Sequence, residues 1–243
     1  MDSLSPSTIS SCTSPESTQG YPPLPQNPEI EGRTIRLVPL SPSHIDGLWQ
    51  SFNDADNIKL FAQWYGDVIC KTKDSLWKAL TAHKERHEGS RTLTILDKPT
   101  SRVLGWTELH TTSANPDRTF DSDPGTVHAA LFLPRPSRSE RGTETIHHLG
   151  RLIFNELEYA TLAFRAGKLD ESCGPRGGPM GITLIGVLSR QLRDDRRSGV
   201  SDLHVLPRAR WPDVYAAVRA WLDSREGGEG VGRALEGWGV VGF

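Results

Sequence analysis

The residues best suited to hold an anion lie in the run Pro-Arg-Pro-Ser-Arg-Ser-Glu-Arg-Gly-Thr from Pro134 to Thr143. Arg138 and Arg141 supply positive charge, and Gly142 lets a backbone approach closely. A helix begins near Thr143. Its first amides lack intrahelical acceptors and carry the positive end of the dipole, so a phosphate there takes several main-chain hydrogen bonds. On these residues alone two readings stay open: an anion turn, or solvated arginines on an ordinary loop.

Other chemistry is less well supported. His83-Lys-Glu-Arg-His87 invites comparison with a zinc-protease motif, but there the Glu directly follows the first His, and Glu85 stands one place too far. His147 and His148 are adjacent on a helix, point in different directions and read as a helix-surface feature rather than a ligand pair. Cys12, Cys70 and Cys173 are odd in number and lack CxxC spacing, which argues against a disulfide framework and for a reducing compartment. No metal site is expected.

The elements that must position the anion turn follow from periodicity. A strand is expected over Thr34 to Leu40, stopped by Ser41-Pro42-Ser43, with Ser43 as the cap of a helix that buries Ile45, Leu48, Trp49 and Phe52. A second helix spans Asp74 to His87. Thr92 to Leu96 and Val103 to His110 form a hairpin around Asp97-Lys-Pro-Thr100, and Val127 to Leu133 is an apolar central strand ended by Pro134. Ile146, Leu149, Ile153 and Leu157 recur at helical steps and predict a long helix over Thr143 to Tyr159. Short strands at Thr161 to Phe164, Thr183 to Leu188 and Ser201 to Leu206 precede a terminal helix opened by Pro212. Trp49, Phe52, Trp77, Trp106, Trp211 and Trp221 read as core anchors.

A chain of 243 residues with 36% hydrophobic content buries one substantial core. Its 28 basic and 30 acidic residues leave a formal charge of -2, which offers no field to gather nucleic acid or an acidic membrane. The first 28 residues are dominated by Ser, Thr, Pro and Gly and read as a disordered tail, followed by one domain over 29–224 and a Gly-rich tail over 225–243. A cytoplasmic protein, monomer or homodimer, is expected, without nucleic-acid or membrane partners.

The order of these elements resembles the GNAT acyl-CoA N-acyltransferases. Within them the chain resembles the branch related to ribosomal-protein N-terminal acetyltransferases. The likeness rests on Glu31-Gly-Arg-Thr-Ile-Arg-Leu-Val-Pro-Leu40, Val103-Leu-Gly-Trp106, Phe132-Leu-Pro134, Arg138 with Thr143-Glu144, Arg151-Leu-Ile-Phe-Asn-Glu-Leu-Glu-Tyr159, and Gly186-Val-Leu-Ser-Arg190 with Asp194 to Arg197. It covers about Glu31 to Leu222. The implied fold is α/β (α+β): a mixed, mostly antiparallel twisted sheet flanked by helices.

The resemblance implies acetyl-CoA as acyl donor. Its pantetheine arm would lie along the main chain of Leu131, Phe132 and Leu133, and its pyrophosphate in the turn of Arg138, Ser139, Glu140, Arg141, Gly142 and Thr143. Asp170 and Cys173 fall where the family has an Asn and a Ser at the cofactor cleft. Gly174, Pro175, Gly177, Gly178 and Pro179 oppose the helix usual after them. The implied reaction is direct attack by a primary amine of a small molecule or a protein N-terminus. A base is wanted on the strands beside the thioester, where Glu108, His110 and His128 are the titratable groups, Glu108 first among them. Ser172, Cys173 or Tyr159, or water, would protonate the leaving thiolate. The alternative is a catalytically silent chain of the same fold that binds CoA or a protein partner.

Overall fold

In the computed structural model the described residues are 20–53, 58, 61, 69–86, 89–111, 125–133, 140–167, 190–193 and 201–224. One eight-stranded sheet organises them. Its strands are β1 (Ile30–Glu31), β2 (Ile35–Pro39), β3 (Arg91–Asp97), β4 (Val103–Thr111), β5 (Thr126–Phe132), β6 (Thr161–Gly167), β7 (Arg190–Arg193) and β8 (Ser201–Pro207). The spatial order is β1-β2-β3-β4-β5-β6-β8-β7. Neighbours run antiparallel except β5 and β6, which are parallel. A parallel pair needs a crossover, and the long helix between these two strands provides it.

The described helices are α1 (Ile45–Phe52), α2 (Lys73–Arg86), α3 (Glu140–Gly150) and α4 (Trp211–Ser224). Strand alternation separates two cores. Ile35, Leu37, Leu93, Ile95, Leu109 and Val127 meet α3 and α4 on one face, while Trp106, Ala130 and Phe132 meet Leu48, Phe52, Leu76 and Leu80 of α1 and α2 on the other. Each fully buried Leu, Ile, Val or Phe among them contributes about 1.5–3 kcal/mol.

The predicted hairpin is present. Asp97 donates its amide to the carbonyl of Arg102 at 2.8 Å, and Ser101 turns the chain at φ 55°. The helix expected from Ser43 starts later: a 3-10 turn over Pro42–His44 comes first, with Ser41 as its cap. The long helix also changes character. After Gly150 it continues as a π-helix over Arg151–Glu156, with the amide of Leu157 donating to the carbonyl of Leu152. This wider segment carries Asn155 to α4, where its Oδ1 accepts from Trp211 Nε1 at 2.8 Å.

Two expectations are corrected. Residues 20–28, assigned by composition to a disordered tail, make specific contacts with the domain: Leu24 and Pro28 are buried, and Tyr21 stacks on Tyr159 with ring centroids 4.8 Å apart. His147 and His148 are not surface groups: each is only 8% exposed, His147 against Trp211 and Tyr215 of α4 and His148 beside Glu144 and the β1–β2 turn. The strand expected over Thr183 to Leu188 lies outside the described residues. No described helix is long and apolar enough to cross a membrane.

Candidate active site

β5 and β6 are registered over four pairs, from Thr126↔Thr161 to Ala129↔Phe164. Beyond that point β5 continues to Phe132, still paired with β4, and β6 continues to Gly167, paired with β8. The registered β5–β6 pairing therefore ends at Ala129 and Phe164, and the two strands form a wedge that opens beyond that pair. A splayed edge offers main-chain donors and acceptors to an extended ligand, as in strand-addition recognition. Leu131, Phe132 and Leu133 lie on it.

The open end of this wedge leads to the start of α3 at Glu140. Gly142 is buried there, and a Cβ built on it would meet Leu133 Cδ1 at 3.5 Å and Leu131 Cδ2 at 3.9 Å. Thr143 is buried too. The sequence-derived anion turn thus adjoins the splayed edge through α3. Arg138 and Ser139 lie outside the described residues, as does the side chain of Glu140.

Arg141 differs from expectation. Its guanidinium donates to Asp97 Oδ1 from Nε at 3.1 Å and from Nη2 at 2.6 Å. Asp97 is held below the usual carboxylate range first by the Thr100 hydroxyl, which outweighs burial, and then by Arg141. This pair ties α3 to the β3–β4 turn, so Arg141 has a structural partner in addition to any role toward an anion.

Glu108, His110 and His128 lie near one another on β4 and β5. Glu108 lies opposite Ala130 and Thr92, and His110 lies directly opposite His128. All three share the sheet face of Trp106 and Phe132, the face packed by α1. Glu108 and His128 are buried, and His110 is half-buried. The two imidazoles stack with centroids 5.0 Å apart and planes 10° from parallel. Rings stacked this way keep their in-plane nitrogens from pointing at one another, and two like charges at that spacing repel. The pair is therefore unsuited to direct proton exchange, whereas Glu108 is a carboxylate on the strand beside the splayed edge.

Trp106 closes the same face. It stacks on Phe132 at 4.6 Å and meets Phe52 and Phe61 edge-on. Gly105 before it is required by close approach, since a Cβ there would lie 2.0 Å from the Phe132 carbonyl oxygen.

Tyr159 is not available to protonate a thiolate. Its hydroxyl donates to the Pro22 carbonyl at 2.6 Å, and burial raises its pKa. Asp170, Ser172 and Cys173 lie outside the described residues. Among the described residues no group of three or more His, Cys, Asp or Glu is placed to hold a metal.

Sequence reasoning missed Glu144. Its carboxylate accepts from the amide of Arg33 and the amide and hydroxyl of Thr34, and stands 3.7 Å from His148 Nε2. Burial pushes its pKa up, but these partners outweigh burial and hold it at about 2. It fastens α3 to the β1–β2 turn, where a Cβ on Gly32 would lie 2.5 Å from Glu144 Oε1.

No family model matches the sequence, and no curated protein is similar to it by sequence. Solved structures are. A GCN5-related N-acetyltransferase from Brucella melitensis superposes with a TM-score of 0.62 at 20% identity, over 84% of this chain and 90% of that one. AAC(6')-Ib in complex with ribostamycin and coenzyme A superposes with a TM-score of 0.58 at 14% identity, over 74% and 97%. A nucleotide-linked sugar GNAT gives 0.53 at 9% identity, over 81% and 99%. The chain has the GNAT fold.

Proposed function

We propose that this chain is an acyl-CoA-dependent N-acyltransferase, with acetyl-CoA as donor and a primary amine as acceptor. The observation that carries the reading is the wedge between β5 and β6, which opens toward the N-terminus of α3. The fold shared with acetyltransferases supports it, as does coenzyme A in the AAC(6')-Ib complex. The main chain of Leu131 to Leu133 aligns the pantetheine arm, and the first turn of α3 with Arg138 takes the pyrophosphate. Glu108 accepts a proton from the substrate ammonium. The freed amine attacks the thioester carbonyl, the amide forms as the carbon–sulfur bond breaks, and the departing thiolate takes a proton.

The acceptor is either a small molecule or a protein N-terminus. The resemblance of the sequence phrases to the ribosomal-protein branch is the ground for considering the latter. A second reading, a chain that binds CoA or a partner without turnover, is favoured by the engagement of Arg141 with Asp97. Isothermal titration followed by an amine panel separates them. The enzyme reading expects saturable acetyl-CoA binding below about 1 mM, within the ordinary range of substrate affinities, and release of free thiol with at least one amine. Binding without turnover favours the second reading, and no binding sinks the enzyme reading.

Gly142→Ala gives a sharper test of the anion turn. The added methyl meets Leu131 and Leu133 at ordinary contact distance. Removing a helical glycine should then stabilise the fold by up to about 1 kcal/mol. A higher Tm together with weaker acetyl-CoA binding is expected. Unchanged affinity would place the pyrophosphate away from this backbone.

A further inference from the structure

The segment Tyr21-Pro-Pro-Leu-Pro25 lies at the closed end of the wedge, opposite the end that opens toward α3. Three prolines fix φ near −65° and push the residues before them into extended conformations, so the segment is ordered at low entropic cost. Its contacts converge on the residues that join β5 to β6. The Gly125 carbonyl, just before β5, accepts the amides of both Ala160 and Thr161 at 3.0 Å, tying the two strand starts together. Tyr21 packs against both sides of that knot. Its ring stacks on Tyr159, and its hydroxyl stands where a Cβ on Gly125 would lie only 2.6 Å away. The Tyr159 hydroxyl donates to Pro22 O, while Arg91 donates to the carbonyls of Pro25 at 2.7 Å and Leu24 at 3.1 Å.

We propose that residues 21–25 are a strap that clamps the closed end of the β5–β6 pair and so sets how far the strands part at the open end. The mechanical reason is the shortness of the parallel junction. Four registered pairs separate the knot at Gly125 from the point where the strands diverge, so a tilt of either strand at the knot is carried into the cleft. The strap holds both strand starts at once, through Gly125 for β5 and Tyr159 for β6, and anchors them to β3 through Arg91. Its effect on ligand affinity rests on the acetyl-CoA reading of the cleft. Its effect on the strands does not.

The test compares the full chain with Tyr21→Ala/Leu24→Ala and with Tyr21→Phe, by amide hydrogen exchange and by acetyl-CoA titration. In the double variant, exchange should quicken across 126–133 and 161–167 while β2 and β3 keep their protection. Acetyl-CoA affinity should fall about five-fold or more, the lower end of ordinary coupling between sites. Tyr21→Phe keeps the stack and should match the parent. Faster exchange confined to 20–28 with unaltered affinity would overturn the proposal. Should the parent chain bind no acetyl-CoA, the reading of the cleft fails while the exchange comparison still decides the strap. If the double variant does not fold, Tyr21→Ala alone carries the same comparison.

Discussion

Replacing Glu108 by Gln is expected to lower turnover by about 10²- to 10⁴-fold, the range of a positioned general base, without weakening acetyl-CoA binding. The substitution keeps the shape of a buried side chain while removing its ability to take a proton, so the loss should fall on kcat rather than on the acetyl-CoA KM. Glu108 is favoured over the two histidines by position. It sits next to Trp106/Phe132, the last registered β4–β5 pair at the open end, whereas His110 and His128 lie toward the closed end. The variant must unfold at a midpoint close to the parent's for the result to be read. A folded Glu108→Gln with turnover within a few-fold of the parent would remove Glu108 as the base. The same measurement on His128→Gln would then rank the remaining groups.

That Glu108 and His110 share one face was legible from sequence, because alternation along β4 needs only a strand assignment. That His110 stands directly opposite His128 was not. Register across β4 and β5 depends on the connection from residue 112 to 125, whose composition does not specify it. The same limit explains the other gaps. Glu144 meets Thr34 across 110 positions, Tyr159 meets Pro22 across 137, and Arg141 meets Asp97 across 44. Local periodicity says nothing about partners so distant. The π-helix escaped for a different reason. Leu149, Ile153 and Leu157 are spaced by four, a step that suits an α-helical stripe, so the apolar pattern carries no mark of the change at Arg151.

His147 was misread because an imidazole usually stays wet or paired. Here both ring nitrogens are buried without a hydrogen-bond partner, and the ring stacks on Tyr215 at 4.9 Å beside Trp211. The apolar faces of the ring fill the α3–α4 seam, and the seam, rather than any ligand, accounts for its position. Such a group can be neutral at modest cost, but not charged.

Acid should therefore unfold this protein in two stages. Burial first, then neighbouring His148 and Arg151, lower the pKa of His147 from 6.5 to about 4, with Glu144 opposing and Arg219 of α4 adding to the effect. The unfolded chain takes up that proton below pH 6.5 while the folded chain resists it. Stability is thus lost as pH falls from 6.5 to about 4, by about 3 kcal/mol. Glu144, lowered from 4.5 to about 2, acts in the next window: its contribution is complete above 4.5 and drains away toward 2, again by about 3 kcal/mol. Since domains of this kind have only about 5–15 kcal/mol in total, the two losses together should bring the chain close to its unfolding threshold near pH 3. Urea midpoints measured at intervals from pH 7.5 to 3 should show both stages. His147→Phe keeps an aromatic ring in the seam and removes its share of the first stage, leaving between pH 6.5 and 4.5 only the loss from His44, whose pKa burial and then Arg36 also lower. If the variant loses stability over that interval as steeply as the parent, His147 is not the group responsible, and the seam between α3 and α4 does not govern the acid response.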